Sequence, residues 1–421
     1  MLNDFKPIVK NSNFIFLWWS QILSQLTINI MNFLLLVRLF TNTGSAIATS
    51  FLWVAYALPA ILIGPFAAVS VDMIERRKML MATNLLQSFT ILIYAISHEN
   101  RLFLLYGVAV AYSFLNQFYV PAEAAAVPTL VRKPNLPLAN GLFFLTQEGA
   151  LILGFAVAGI MNKYLGFNNS LFLCSSLLFL AFVSVSFLPS MRVKDKLPKS
   201  FEVAFGKFFY RIVEGYKFIK EHNQILVPFL LLMAFQIAMT IVMVNVPVFA
   251  SDILRIDVNS AGIYIVVPAG IGAALGAIAI PKLLKRGWRK KRTIENALML
   301  LSFVALLLTF VVPELQGANR IIMGGVVIAL AGVAFVGILI PSQTYLQEAT
   351  PGGLRGRVFG NYWFLATIAT IFPVIFSGAL AELFGVKLIL FLLGGLTLAA
   401  LVASKRFGQK FMENGFELKI E

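Results

Sequence analysis

Hydrophobic stretches of about 20 residues recur from one end of this 421-residue sequence to the other, with only short polar segments between them. A stretch of that length, folded as an α-helix, crosses the roughly 30 Å hydrocarbon core of a bilayer. Charged residues make up 13% of the sequence, about half of what is usual in soluble domains. The pattern predicts an all-α membrane protein with twelve transmembrane helices.

The basic residues indicate how these helices are oriented. A net charge of +15 would suggest a nucleic-acid partner for a soluble chain, but these residues cluster in alternate connecting segments. With the N-terminus inside, the opposite side holds only Arg38, Arg101, Lys163, Arg255, Arg320 and Lys387. The positive-inside rule therefore predicts that both termini are cytoplasmic, and the distribution leaves no reason to expect a nucleic-acid partner. The expected location is the plasma (inner) membrane, with the chain crossing it many times.

The longest polar connection, residues 190–224, divides the sequence into two halves. We predict an N-terminal six-helix bundle over 1–189, a cytoplasmic linker over 190–224, a C-terminal six-helix bundle over 225–404 and a cytoplasmic tail over 405–421. Apolar residues recur at helical spacing among the basic residues of the linker. They predict an amphipathic helix, which either lies on the membrane surface or packs on the inner face of the protein.

The two halves share a spacing pattern. The first half has Pro121, Gly141, Gly159 and Gly166, and the second has Pro341, Gly360, Gly378 and Gly385. Successive intervals are 20, 18 and 7 residues in the first half and 19, 18 and 7 in the second. A duplicated six-helix unit explains this agreement, so we predict two pseudo-symmetric bundles.

The connection between the second and third predicted helices carries a motif. It reads Gly64-Pro-Phe-Ala-Ala-Val-Ser-Val-Asp72-Met-Ile-Glu75-Arg76-Arg77-Lys78. This resembles the signature loop of the major facilitator superfamily, in which a glycine precedes Asp-Arg and a basic cluster. Asp72 and Arg76 match the pattern, whereas Met73 and Glu75 depart from it. The resemblance implies the major facilitator fold and a gate in which the aspartate closes the cytoplasmic side by pairing with a nearby arginine.

Three further segments narrow the resemblance. They are Tyr119-Val-Pro-Ala-Glu-Ala-Ala-Ala-Val-Pro128, Leu138-Ala-Asn-Gly141 and Leu354-Arg-Gly-Arg-Val-Phe-Gly360. They are similar to the macrolide-efflux and enterobactin-exporter-like branch, which implies a proton-coupled exporter of amphipathic or hydrophobic small molecules, drug-like or siderophore-like. Uptake or lysolipid transport by the same fold, and a membrane sensor that does not transport, are the alternatives.

Ionisable residues within the predicted helices are the first candidates for coupling, because a charge inside the membrane is costly. Glu148 lies near the predicted bilayer midplane and is the proton-coupling candidate; the alternative is a hydrogen-bonded glutamate that bridges helices. Glu123 lies about one turn inside the cytoplasmic end of the fourth predicted helix. It joins Asp72 and Arg76 as a gating candidate.

Polar side chains within the predicted helices are the candidates for a substrate cavity. Gln21, Gln25, Asn29 and Asn32 follow one another at spacings of four, four and three residues, which places them on one helix face. The remaining candidates are Asn116, Gln147, Gln236, Thr240, Asn361 and Trp363. For each of them, hydrogen bonding between helices without ligand contact is the alternative.

The sequence contains no Walker-type phosphate loop, catalytic triad or metal-ligand cluster. Cys174 is the single cysteine and falls within an apolar stretch. We therefore predict that the protein is not an enzyme and needs no cofactor or metal. Its expected partners are a small-molecule substrate, protons and the lipid bilayer, and it is expected to function as a monomer.

Overall fold

The computed structural model describes residue 8 and residues 10–71, 73–97, 101–191, 201–351 and 354–413. Asp72, residues 192–200 of the predicted linker and residues 414–421 of the predicted tail lie outside the described residues. Across the described ranges the chain is helical, with turns and no β-strand. The predicted all-α class is confirmed.

Thirteen helices of eight or more residues form the described part of the chain. They are α1 (Ser12–Thr43), α2 (Ala46–Leu62), α3 (Gly64–Val71), α4 (Arg76–Ser97), α5 (Phe103–Leu130), α6 (Leu136–Ser186), α7 (Phe201–Glu221), α8 (Asn223–Val244), α9 (Val267–Lys285), α10 (Lys290–Leu306), α11 (Gly317–Ala349), α12 (Arg355–Phe384) and α13 (Val386–Glu413).

The helices provide the predicted number of crossings. Ten helical segments within the described ranges are long and apolar enough to cross a membrane, among them Val258–Lys285, which extends α9, and Lys290–Glu314, which extends α10. One of them, α6, contains a kink at Gly166 and counts as two crossings. The 17-residue α2 is separated from α3 by a single residue, and together they supply the remaining crossing. The described residues thus contain the twelve predicted transmembrane helices.

Two glycines end transmembrane helices at equivalent points of the predicted repeat. Gly166 has φ 79° and Gly385 has φ 78°, a backbone conformation that side chains with a Cβ rarely adopt. The first interrupts α6, and the second separates α12 from α13. The shared conformation supports the duplicated unit that the spacing predicted.

The chain divides into two compact units. Unit 1 comprises Met1–Gly44 and Phe51–Phe209, and unit 2 comprises Ser45–Ser50 and Tyr210–Glu421. The core of unit 1 includes Phe14, Leu17, Leu80, Tyr119 and Val185, contributed by α1, α4, α5 and α6. The core of unit 2 includes Ile219, Phe229, Leu346, Val358 and Tyr362, contributed by α7, α8, α11 and α12.

Within unit 2, α9 and α11 approach each other so closely that their backbones touch. A Cβ atom built on Gly272 of α9 would overlap the carbonyl group of Ala329, and one built on Gly332 of α11 would overlap the carbonyl group of Ala269. Small residues permit this approach, and packing of this kind stabilises membrane helices in the absence of a hydrophobic driving force between them.

Helix α7 is the predicted amphipathic helix, and its second half packs on α12. The Asn361 amide donates a hydrogen bond to the Ile212 carbonyl, with a distance of 3.0 Å between the two atoms. Arg357 forms an ion pair with Glu214, and Gly215 is buried against the same two α12 side chains. These contacts favour the second alternative, packing on the protein itself, for this part of the linker.

Gly215→Ala is expected to loosen α7 from α12, because the added methyl group would overlap the Asn361 amide and approach Arg357. Overpacking of this kind costs about 1–3 kcal/mol, which corresponds to about a 5- to 150-fold larger population of undocked helix. The rate of tryptic cleavage within α7 measures that population.

Gly206→Ala on the same helix is the matched control, because no atom lies within 4 Å of the added methyl group. Cleavage of this variant is expected to stay at the wild-type rate. Equal cleavage rates of the two variants would contradict the docked arrangement of α7.

Candidate coupling and substrate sites

A chain of hydrogen bonds connects three helices inside unit 1 and ends on Glu123. The Tyr119 hydroxyl donates to Glu123 Oε1 over 2.7 Å, one turn apart on α5. The same hydroxyl lies 3.5 Å from Ser20 Oγ on α1. Asn84 of α4 donates its amide to Ser20 Oγ over 3.0 Å. All four side chains are buried.

The spacing of small and aromatic residues on α5 explains the apolar surroundings of this hydrogen-bond network. Tyr119, Ala122 and Ala126 recur with helical spacing on the buried face that also carries Glu123. Tyr119 is the single hydrogen-bond partner of the Glu123 carboxyl group among the described residues. A carboxyl group held in this way is expensive to leave unsatisfied, so Tyr119 fixes its position.

The predicted gate is described in part. Arg76 begins α4 and is half-buried, and within the described residues its buried Nε atom has no hydrogen-bond partner. Arg77 donates a hydrogen bond to the Ser186 carbonyl of α6. No ion pair joins Arg76 to Glu123 within the described ranges. The joint gating role of Asp72, Arg76 and Glu123 stays a prediction.

Glu148 lies on α6 in a different setting from Glu123. Its side chain is exposed, as is that of the neighbouring Gln147. Within the part of the chain that the structure describes, the Glu148 carboxyl group makes no hydrogen bond or ion pair. Its coupling role stays a prediction.

The polar stripe of α1 runs along α6. The buried Gln21 donates its amide to a main-chain carbonyl of α6 over 3.1 Å. Asn29 donates to the Gln25 carbonyl over 2.7 Å, and its Cβ occupies the space that a side chain on Gly154 would need. Gln25 and Asn32 are half-buried. Gln21 and Asn29 thus contribute to helix packing within unit 1, and the cavity role of the stripe stays a prediction.

The remaining cavity candidates have varied surroundings. Asn116 donates to the Tyr56 hydroxyl over 3.4 Å. The Thr240 hydroxyl donates to the Gln236 carbonyl one turn earlier on α8. Asn361 is buried, and its amide holds α7 as described above. Trp363 is 58% exposed. Of this group, Trp363 has the most exposed side chain.

Several buried polar residues of unit 1 were not among the candidates chosen from the sequence. Thr83, Asn84, Gln87 and Ser88 share the buried face of α4. Both polar atoms of the Gln87 side chain are buried and lack a hydrogen-bond partner within the described residues. The spacing of these four residues within an apolar stretch was the signal that could have identified them. Tyr119 was also not among the candidates, although it lies four residues before Glu123, a spacing at which two side chains meet on a helix.

Comparison with known proteins identifies the family. The family model of the Major Facilitator Superfamily matches residues 17–373. The chain belongs to the Major Facilitator Superfamily. Its members carry small molecules across membranes and are not enzymes, so this protein is a multi-pass membrane transporter. The match extends from α1 into α12 and covers most of both predicted halves.

Two curated relatives span most of the chain. An uncharacterized MFS-type transporter of Bacillus subtilis (strain 168), YfiS, is 25% identical over 406 residues, which cover 94% of this chain and 90% of the relative. The multidrug efflux pump Tap of Mycolicibacterium fortuitum is 25% identical over 366 residues, which cover 82% of this chain and 83% of the relative. Both are named as transporters.

Solved structures of transporters share the fold. A variant of the nucleoside transporter NupG superimposes with a TM-score of 0.74 at 13% identity and covers 93% of this chain and 98% of that chain. The POT family transporter PepTSo superimposes with a TM-score of 0.73 at 10% identity and covers 96% of this chain and 99% of that chain. At these identities the likeness establishes the architecture.

Proposed function

We propose that this transporter is a proton-coupled exporter of amphipathic or hydrophobic small molecules, drug-like or siderophore-like. The observation that carries the proposal is the match to the multidrug efflux pump Tap over 82% of this chain. The resemblance of Leu354-Arg-Gly-Arg-Val-Phe-Gly360 to the macrolide-efflux and enterobactin-exporter-like branch points in the same direction.

Two glutamates support the coupling part of the proposal. Glu123 and Glu148 lie within membrane-spanning helices of unit 1, where ionisable residues are rare and mark ion or substrate pathways. Glu148 makes no described hydrogen bond or ion pair, so proton and substrate can compete for it. The electrical gradient supplies roughly 2.3 kcal/mol for each charge moved across 100 mV.

We place the protein in the plasma (inner) membrane as a functional monomer with both termini cytoplasmic. The positive-inside distribution of basic residues supports the orientation. Transport proceeds by alternating access, in which the substrate site opens to one side of the membrane at a time. The cytoplasmic gate consists of Asp72, Arg76 and Glu123. A salt bridge that forms in one conformational state and breaks in the other shifts the equilibrium between the two states.

Glu148→Gln is expected to abolish efflux, because the amide keeps the shape of the side chain but cannot exchange a proton. Cells that express the wild type are expected to accumulate less of at least one compound from a panel of fluorescent dyes and antibiotics. This difference is expected to disappear in the Glu148→Gln variant and, for the wild type, when a protonophore is added. Intracellular dye fluorescence is the measurement.

Glu314→Gln provides the matched control, because Glu314 pairs with Lys387 at an exposed position, at the end of the membrane-spanning segment Lys290–Glu314. Its efflux is expected to equal that of the wild type at equal expression. Unchanged accumulation in every arm would contradict multidrug export. Efflux that survives the protonophore would contradict proton coupling.

A further inference from the structure

Unit 2 contains a cavity of about 670 Å³ between the start of α10 and the end of α13. Arg289, Lys291, Arg292 and Lys405 line it, together with the carboxylate of Glu295. The cavity volume is within the range of small-molecule sites. Its lining is strongly cationic, and its basic residues lie on the predicted cytoplasmic side.

Three of these cations have no anionic partner in the described part of the chain. Glu295 accepts a hydrogen bond from Ser404. Its carboxylate also lies 3.8 Å from the Lys291 ammonium group, so it neutralises the charge of Lys291. Arg289, Arg292 and Lys405 form no described ion pair. The first turn of α10 adds to the positive potential because it contains no acidic residue and no side-chain cap.

The aromatic side chain at the cavity is typical of a membrane interface. Trp288 lines the cavity and is 44% exposed, and the Arg292 guanidinium lies 5.8 Å from its ring centroid. Tryptophan is enriched at the level of lipid head groups. The contact holds the guanidinium at the cavity while leaving its N–H groups free to bind an anion.

An apolar stripe continues from the cavity along α10. Met299, which lines the cavity, is followed by Phe303 and Leu306 at spacings of four and three residues, so all three share one helix face. Each of these side chains is at least 40% exposed. The cavity therefore opens onto a surface that suits an acyl chain, which a free phosphate ion would leave uncovered.

We propose that this cavity is a binding site for an anionic phospholipid. Arg289, Arg292 and Lys405 bind the phosphate, and an acyl chain lies along Met299, Phe303 and Leu306. Basic pockets between membrane helices on the cytoplasmic side recognise acidic head groups in this way, and guanidinium groups suit phosphate oxygens because they donate two parallel hydrogen bonds. None of its residues is a coupling candidate, and lipid binding to it can be measured without a transport assay.

The test measures lipid binding by the purified full-length protein with native mass spectrometry. Phosphatidylglycerol is the probe, and phosphatidylcholine and inorganic phosphate are the comparison ligands. The triple variant Arg289→Gln/Arg292→Gln/Lys405→Gln is expected to bind phosphatidylglycerol at least about tenfold more weakly than the wild type, since three charge-assisted contacts are lost.

The matched control is Lys282→Gln/Lys285→Gln/Arg286→Gln. It removes the same charge from the neighbouring end of α9, whose residues do not line the cavity. This variant is expected to bind within about twofold of the wild type. Equal weakening in both triple variants, or equal binding of phosphatidylcholine and phosphatidylglycerol, would overturn the proposal. Competition by inorganic phosphate at the concentration of the lipid would overturn the assignment to a phospholipid.

Discussion

Gly332→Ala is expected to lower the unfolding temperature of the purified transporter by several degrees and to reduce the amount of folded protein in the membrane. The added methyl group would overlap the Ala269 carbonyl and the Ala273 nitrogen. Both are backbone atoms of α9, so they cannot rotate away as a flexible side chain could. The two helices must separate, at a cost of about 1–3 kcal/mol or more.

Gly325→Ala on the same helix is the control for this prediction. The nearest atom to its added methyl group is the Pro268 Cγ at 3.9 Å, which is an ordinary contact. Alanine in a helix is about 0.5–1 kcal/mol more favourable than glycine, so this variant is expected to be as stable as the wild type or slightly more stable. Gly272→Ala, on the opposite side of the interface, is expected to behave like Gly332→Ala. Equal unfolding temperatures for Gly332→Ala and Gly325→Ala would contradict the close approach of α9 and α11.

The number of helices could be predicted from the sequence, because each crossing needs about 20 apolar residues and the bilayer tolerates few exceptions. The limits of the helices could not. The apolar stretch of α1 ends near residue 38, yet the helix continues to Thr43. The hydroxyl groups of Thr41 and Thr43 donate hydrogen bonds to the carbonyl groups of Val37 and Leu39. These polar side chains therefore find their hydrogen-bond partners within the helix.

Candidate residues could be chosen from the sequence by residue type, but their surroundings depend on tertiary contacts. Glu123 and Glu148 were selected by one argument, and the structure gives one a buried partner and leaves the other exposed. The contact between Tyr119 and Glu123 was readable, since residues four apart meet on a helix. The contributions of Ser20 and Asn84 could not be predicted, because Ser20 is 99 residues from its partner Tyr119 and Asn84 is 64 residues from its partner Ser20.

The sequence predicts that some glycines allow helices to pack closely, but it does not show which ones. Several glycines recur in the predicted helices, but the sequence does not distinguish Gly332, which touches a neighbouring backbone, from Gly325, which has space around it. The distinction depends on which face of α11 meets α9. That face is set by the packing of whole helices and not by local spacing.

Glu123→Gln is expected to abolish efflux while leaving the unfolding temperature within a few degrees of the wild-type value. The amide oxygen can still accept the hydrogen bond from Tyr119, so the buried chain to Ser20 and Asn84 is kept. The side chain can no longer ionise, so it cannot join a salt bridge that forms and breaks between two global states. Efflux of a compound identified with the dye panel and thermal unfolding of the purified protein are the two measurements.

Tyr119→Phe separates a gating role of Glu123 from a purely structural one. This substitution keeps the ionisable carboxyl group but removes its hydrogen-bond donor, which leaves a buried acceptor unsatisfied at a cost of about 1–3 kcal/mol. It is expected to lower the unfolding temperature more than Glu123→Gln does, with part of the efflux retained, because the carboxyl group can still ionise. The opposite order, in which Glu123→Gln exports at the wild-type rate and only Tyr119→Phe impairs transport, would show that Glu123 serves as a structural acceptor and has no part in the gate.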